Sequence, residues 1–167
     1  AVLDFSKITL GSVRPEFESF DLSPLLRGLQ SQVGPEARSA GLSLRIDARG
    51  DGWVRSDRAL LERVLRNILI NAIRHTPADG SVTVRAEAGG GGVEIEIADT
   101  GDGIPAGERE RVFDAFFRGG PDVSRAADGA GLGLAIARAI VETHGGRIWL
   151  APADHGTRVR FSLPSVA

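Results

Sequence analysis

The segment from Asp57 to His75 constrains the fold most, because it is apolar around most of a helix circumference. At 100° per residue, its apolar side chains cover everything except one narrow stripe. These side chains are Val64, Leu65, Ile68, Leu69, Ala72 and Ile73. Such a helix has to be covered by other elements. Ser56 or Asp57 is the expected N-cap, and Thr76-Pro77 is expected to end the helix.

Alternating apolar and polar residues predict the strands that cover this helix. Ser81 to Ala88 and Val93 to Ala98 alternate in this way, and glycines between them predict a hairpin. Other strands are predicted at Leu42–Ile46, Ile148–Leu150 and Thr157–Leu163. The sum is an α+β two-layer sandwich, with a mixed, mostly antiparallel sheet and helices packed on one face.

Two further helices complete the prediction. Ser23-Pro24 reads as the N-cap and first residue of one helix, and Gly34-Pro35 is expected to kink or split it. Leu132 to His144 has a helical pattern that Gly145-Gly146 should end. Between the strands and this last helix, residues 99–131 form a long irregular segment, which in a compact domain is usually functional.

Size and composition exclude several classes of protein. With 167 residues, 42% of them apolar and 25% charged, the chain is an ordinary globular domain. A net charge of −2 gives no electrostatic case for nucleic acid as a partner. The absence of cysteine excludes disulfides and thiolate-bound metals. No apolar run reaches the roughly 20 residues that cross a bilayer, so no direct membrane contact is expected.

The exception to the apolar helix is the stripe formed by Arg63, Asn67, Asn71 and Arg74. Amide side chains on a largely buried helix are costly unless a polar group satisfies them. Mg²⁺ with attached phosphates would do so, since an amide oxygen ligates Mg²⁺ and arginine neutralises phosphate. A solvated polar face is the alternative.

A second candidate is the run from Asp99 to Ile104, D-T-G-D-G-I, which directly follows a predicted strand. Its glycines and aspartates are also typical of a simple turn. An aspartate at the end of a buried strand can nevertheless accept a hydrogen bond from an exocyclic amine, which adenine has at the relevant position and guanine has not. Gly101 and Gly103 would let the backbone approach a flat ring.

Two more runs lie in the irregular segment. Gly129 to Leu134, G-A-G-L-G-L, opens the last helix, where free backbone N–H groups form an anion site. A flexible loop that opens a helix is the alternative reading. Val112 to Arg118 holds three of the seven phenylalanines and is either core or an anchored lid.

Four short segments, taken in order, resemble the N, G1, F and G2 boxes of the histidine-kinase ATPase domain. These segments are N-I-L-I-N-A, D-T-G-D-G-I, F-D-A-F-F-R-G and G-A-G-L-G-L-A. V-L-D-F-S-K-I near the start resembles the end of the second dimerisation helix of such kinases. The chain is therefore identified as similar to the catalytic domain of a bacterial sensor histidine kinase. This resemblance implies the Bergerat ATP-binding fold with a flexible ATP lid. It divides the chain into a helix end and connector at 1–20 and the ATP-binding domain at 21–167.

The resemblance also implies roles for single residues. Asn71 would be the Mg²⁺ ligand, with Asn67 supporting it or touching phosphate. Arg74 stands where the family usually has a phosphate-contacting lysine, and His75 where it often has tyrosine. Asp99 would select adenine. The other nucleotide-binding positions implied are Gly101, Gly103, Ile104, Phe113, Arg118, Gly129, Gly131, Leu132, Gly133 and Leu134.

The implied function is binding of Mg-ATP and transfer of the γ-phosphoryl group to a histidine. The H box that carries this histidine is absent here, so the acceptor would lie on a dimerisation domain and pass the group to a response regulator receiver domain. Gyrase- and MutL-type relatives carry a glutamate general base where this chain has Asn67, so slow hydrolysis is expected. The resemblance implies a monomeric cytoplasmic domain and is compatible with a parent protein anchored in the inner membrane. The alternatives are an anti-sigma-factor serine kinase and a non-catalytic nucleotide-sensing module.

Overall fold

The computed structural model describes residues 14–50, 52–89, 92–114 and 133–164. Eleven elements follow one another along these ranges. They are β1 (Glu18–Asp21), α1 (Leu22–Ser39), β2 (Ser43–Gly50), β3 (Trp53–Ser56), α2 (Arg58–His75), β4 (Ser81–Gly89), β5 (Gly92–Asp99), a 3₁₀ turn (Ala106–Glu108), α3 (Gly133–Thr143), β6 (Arg147–Ala151) and β7 (Thr157–Leu163).

Five strands form the main sheet in the order β2-β4-β5-β7-β6. The pair β2–β4 is parallel, and the three remaining pairs are antiparallel. Burial alternates along β4 and β5, so one face of the sheet is covered and the other faces solvent. The predicted mixed, mostly antiparallel sheet in an α+β fold is confirmed.

The core lies between the covered sheet face and the three helices. Helix α2 is central to it, because it packs against α1, α3, β4 and β5. Its buried residues are Leu61, Val64, Leu65, Ile68, Leu69, Ala72 and Ile73. They include all six positions for which the apolar pattern predicted burial. From the sheet side, Ile95 and Phe161 are fully buried against them.

Side-chain caps explain where α1 and α2 begin. Asp57 caps α2, since its Oδ1 accepts from the Leu60 N–H at 3.0 Å. Asp21 caps α1 by accepting from the Ser23 N–H at 3.0 Å. The predicted cap at Ser23-Pro24 is therefore wrong, and both residues lie in the first turn. Proline is tolerated there because an N–H in the first turn has no carbonyl partner within the helix.

Gly34-Pro35 does not split α1, which continues as one helix to Ser39. The expected clash of a proline involves the β-carbon of the residue before it, and Gly34 has none. The predicted split is therefore wrong, and the predicted kink stays a prediction.

The chain enters the domain through β1, which pairs antiparallel with β3 in a separate two-stranded sheet. Phe20 of β1 is buried in the core. These residues end the segment predicted as a connector, and the division of the chain at residue 20 stays a prediction. Most of the predicted lid falls at 115–132, outside the described residues. Among the described helices, none combines the length and apolar character of a membrane span.

Phe161→Ala should lower the free energy of unfolding by about 3–5 kcal/mol, because it empties a fully buried position in the centre of β7. Urea denaturation followed by circular dichroism measures this change. Ser162→Ala is the matched control on the opposite face of the same strand, with a change within about 0.5 kcal/mol. Equal effects of the two substitutions would contradict the placement of the core on one sheet face.

Candidate functional site

The carboxylate of Asp99 lies at the end of β5 and is held by two backbone N–H groups. Its Oδ1 accepts from Gly101 at 2.9 Å and from Thr157 at 3.2 Å. The first bond closes the turn after β5, and the second joins β5 to the start of β7. Both bonds use the same oxygen, Oδ1, so the two N–H groups fix one side of the carboxylate.

Burial raises the pKa of the Asp99 carboxyl above its ordinary value of 3.8. The N–H groups of Gly101 and Thr157, with the charge of His75, offset part of this rise. The fold therefore holds a partly desolvated carboxylate, which is unfavourable for stability at neutral pH. A perturbed acid held in fixed geometry is typical of a binding or catalytic site.

Glycines bring three loops close together around Asp99. A β-carbon at Gly101 would lie 2.6 Å from the carbonyl oxygen of His75, so the turn after β5 packs directly on the end of α2. Gly156 has φ of +74° and packs against the Asp99 carbonyl, where a side chain has no room. The carbonyl oxygen of Gly156 in turn lies beside Gly103.

Helix α2 places Asn67 and Asn71 one turn apart, both half-buried. The Asn67 Nδ2 atom is buried, and within the described ranges it has no hydrogen-bond partner. An unpaired buried amide is unfavourable, so this nitrogen suits an acceptor that a ligand brings. Arg74 and His75 follow on the exposed last turn of the helix.

Helix α3 begins beside this polar stripe. A β-carbon at Gly133, its first residue, would lie 3.9 Å from the backbone oxygen of Asn67. This end of α3 therefore lies next to the amide stripe of α2, and the N-terminal end of a helix attracts anions. Leu134, the next residue, is half-buried against the core.

The remaining predicted site residues fall into two groups. Ile104 is half-buried in the loop after Gly103, and Phe113 packs against the core. Asp114 ties this segment to α3 through a 3.9 Å ion pair with Arg138. Four predicted residues lie outside the described ranges, namely Arg118, Gly129, Gly131 and Leu132.

The structure adds two residues that the sequence pattern did not single out, Gly156 and Thr157. They contact Asp99 from a point 58 residues further along the chain. In the sequence they appear only as a Gly-Thr pair at the start of β7. Such a pair indicates a contact with Asp99 only once the strand that pairs with β7 is known. Thr100 has a supporting role as well, since its hydroxyl oxygen accepts from the Ser81 N–H at 2.9 Å.

In the described parts of the chain, no group of three or more His, Cys, Asp or Glu side chains could hold a metal ion. A divalent cation at this site would therefore rely on amide oxygens and on oxygens of the ligand itself. Asn67 and Asn71 fit this requirement, because Mg²⁺ takes few protein ligands and keeps phosphate and water oxygens.

Comparisons with known proteins identify the family of the chain. The family model of histidine kinase-, DNA gyrase B-, and HSP90-like ATPases matches residues 56–167. The alginate biosynthesis sensor protein KinB of Pseudomonas aeruginosa is 36% identical over 166 residues. That match covers 98% of this chain and 27% of KinB, so the chain spans about a quarter of that relative.

Two solved structures share the fold. A mycobacterial sensor histidine kinase, MprB, matches with a TM-score of 0.74 and 32% identity over 89% of this chain and 97% of the other. The histidine kinase ThkA, solved in complex with the response regulator protein TrrA, matches with a TM-score of 0.77 and 26% identity, over 99% of this chain and 47% of that one. The chain thus belongs to the family of histidine kinase-, DNA gyrase B- and HSP90-like ATPases, in which it groups with the catalytic domains of sensor histidine kinases.

Proposed function

We propose that this domain binds Mg-ATP and presents the γ-phosphoryl group to a histidine on a dimerisation domain, from which it passes to a response regulator. The observation that carries the proposal is the half-buried Asp99 carboxylate, whose Oδ1 is fixed by the Gly101 and Thr157 N–H groups. A fixed acceptor next to glycine-lined backbone suits a flat base with an exocyclic amine.

Adenine fits this acceptor and guanine does not. The 6-amino group of adenine donates to Oδ2, whereas the 6-oxo group of guanine would face it with another acceptor. Two acceptors that face each other in a partly desolvated site are costly, so guanine loses more affinity than the missing hydrogen bond alone accounts for. Gly101 and Gly103 leave room for the ring beside the backbone.

The triphosphate would extend from Asp99 toward the start of α3. The Asn67 Nδ2 group can donate to a phosphate oxygen, and Asn71 can ligate Mg²⁺ through its side-chain oxygen. The cation supplies charge neutralisation when bound. Arg74, the N–H groups at Gly133 and, on the proposed reading, Gly129, Gly131, Leu132 and Arg118 would complete the anion site.

The chemistry of Asn67 favours transfer of the γ-phosphoryl group to an outside nucleophile over hydrolysis of ATP. An amide accepts no proton at neutral pH, so this position has no general base to activate water. The residues named here position and neutralise the phosphates, which is most of what phosphoryl transfer requires. A histidine imidazole from the dimerisation domain would then supply the nucleophile.

Relatives support this reading over the alternatives. KinB is named a sensor protein and MprB a sensor histidine kinase, whereas an anti-sigma-factor serine kinase has only the family fold in its favour. The response regulator as partner rests on the ThkA–TrrA complex. Cytoplasmic placement, a monomeric state and the absence of nucleic acid or membrane contact belong to the same proposal. A non-catalytic sensing module is the alternative that nucleotide binding alone would not exclude.

The proposal predicts tight, ATP-selective and Mg²⁺-dependent binding with little hydrolysis. Calorimetric titration with ATP and GTP, with and without Mg²⁺, measures the selectivity, and phosphate release is followed in the same samples. A dimerisation domain that carries an H box is then added with radiolabelled ATP. Binding without labelling of that domain would favour the sensing module, and rapid phosphate release would contradict the role assigned to Asn67.

Asp99→Asn should weaken ATP binding by about tenfold to a hundredfold, because the new amide places a donor opposite the adenine amine. The same variant should be at least as stable as the wild type at pH 7. Because burial raises the pKa of Asp99, the protonated carboxyl contributes fully to the stability of the fold below pH 3.8. This contribution is lost as pH rises through the pKa of the folded state. The amide removes this cost, so the stability difference should shrink toward pH 4.

Asp102→Asn is the matched control for this pair of measurements, since Asp102 is exposed in the same turn. It should leave both the affinity for ATP and the stability at pH 7 unchanged, because the Asp102 side chain is exposed. Thermal denaturation between pH 4 and 8 and calorimetry provide the two readouts. A destabilised Asp99→Asn at pH 7 would mean that the carboxylate serves the fold rather than a ligand.

Asn71→Ala should remove most of the Mg²⁺ dependence of ATP binding, while ATP affinity without Mg²⁺ stays within about twofold of the wild type. The reason is that the loss of one cation ligand affects the metal-bound complex alone. Arg66→Ala is the control on the exposed face of the same helix, where Arg66 pairs with Glu62. If Mg²⁺ dependence survives in Asn71→Ala, the ligand lies elsewhere.

A further inference from the structure

Residues 16–21, here called the connector strap, are fastened to both helices that carry the candidate site. The Glu16 N–H donates to Oδ2 of Asp57, the N-cap of α2, at 2.8 Å. The Phe17 ring packs edge-on against the ring of His144, with centroids 5.3 Å apart and planes at 81°. Phe20 is buried in the core, with the Arg58 guanidinium 5.8 Å above its ring.

These attachments lie at the far ends of α2 and α3 from the site. On α2 the strap contacts Asp57 and Arg58, and the amide stripe begins at Asn67, about three turns further along. On α3 the strap contacts His144, directly after the helix, and the first residue Gly133 faces Asn67. Helix α3 is about 16 Å long and packs against α2. It therefore connects the contact with the strap at one end to the anion site at the other.

The contact between Phe17 and His144 includes a buried polar atom of the His144 ring. His144 is only 5% exposed, and its Nδ1 lies 2.9 Å from the Ile140 carbonyl oxygen. A carbonyl only accepts, so Nδ1 carries the proton. The buried Nε2 then has no hydrogen-bond partner among the residues that the structure describes. In the docked state this polar atom is therefore unsatisfied, at a cost that a fully apolar contact would not carry.

We propose that the outer end of the connector strap, Glu16 and Phe17, is a releasable fastening that couples the segment entering the domain to the nucleotide site, while Phe20 stays in the core. When docked, the strap holds α3 by its C-terminal end and keeps Gly133 against Asn67. When released, α3 loses this support and the anion site is no longer pre-organised. This inference rests on the proposed function, since it assigns a regulatory role to the same ATP site.

The coupling has to be reciprocal. If docking of the strap raises the affinity for ATP by a given factor, ATP raises the docking equilibrium by the same factor. The Glu16 N–H reports docking directly, because it is protected only while it is bonded to Asp57. Hydrogen exchange at this amide and the dissociation constant of ATP therefore give two independent measurements of the same coupling factor.

The test uses the whole chain and three variants. Phe17→Ala should speed exchange at Glu16 and weaken Mg-ATP binding by about fivefold or more. Ser19→Ala, an exposed position on the same strand, is the matched control and should change neither. His144→Leu removes the unpaired nitrogen, and the Ile140 carbonyl keeps its 3.1 Å bond from the His144 N–H. It should slow exchange at Glu16 by about fivefold or more and not weaken ATP binding.

In the wild type, saturating Mg-ATP should slow exchange at Glu16 by about the factor that separates the affinities of the wild type and Phe17→Ala. The inference is overturned if Phe17→Ala speeds exchange yet binds ATP within twofold of Ser19→Ala. It is overturned as well if saturating ATP leaves exchange at Glu16 unchanged. Calorimetry on the wild type separates these outcomes from failure of the proposed function, which would appear as an absence of ATP binding.

Discussion

The register of β5 between β4 and β7 is the constraint on which the rest of the site depends. Val93, Ile95 and Ile97 point into the core, and Asp99 is the next residue on the same face. The alternation that buries three apolar side chains thus delivers a carboxylate to the edge of the core. A shift of one residue would turn the apolar set to solvent and Asp99 away from Thr157, so core packing fixes the position of the acid.

Elements with a local cause could be predicted from the sequence, and contacts with a distant cause could not. The strand at Thr157–Leu163 and the helix capped by Asp57 follow from alternation and capping within a few residues, and both were predicted with these bounds. The strand β1 depends on pairing with β3, and Gly156 gains its meaning from Asp99, more than 50 residues away. At Pro35, the decisive detail was the missing β-carbon of its neighbour.

Two side chains of the candidate site are unfavourable for the stability of the fold. Asp99 is partly desolvated and Asn67 carries an unpaired buried amide, so both side chains lower stability until a ligand arrives. The glycines around them exclude side chains rather than supply chemistry. A strand holds Asp99 and a helix holds Asn67, which limits how far each side chain can move from the geometry a ligand needs.

The separate pairing of β1 with β3 has a consequence for how such a domain can be reused. Within the ranges that the structure describes, the entering chain adds no strand to the five-stranded sheet, whose edges are β2 and β6. The hydrogen-bonded framework that positions Asp99 is therefore complete without the segment that precedes it. Different upstream modules could be joined to the same framework over evolution, provided that each keeps the short ribbon through which the chain enters.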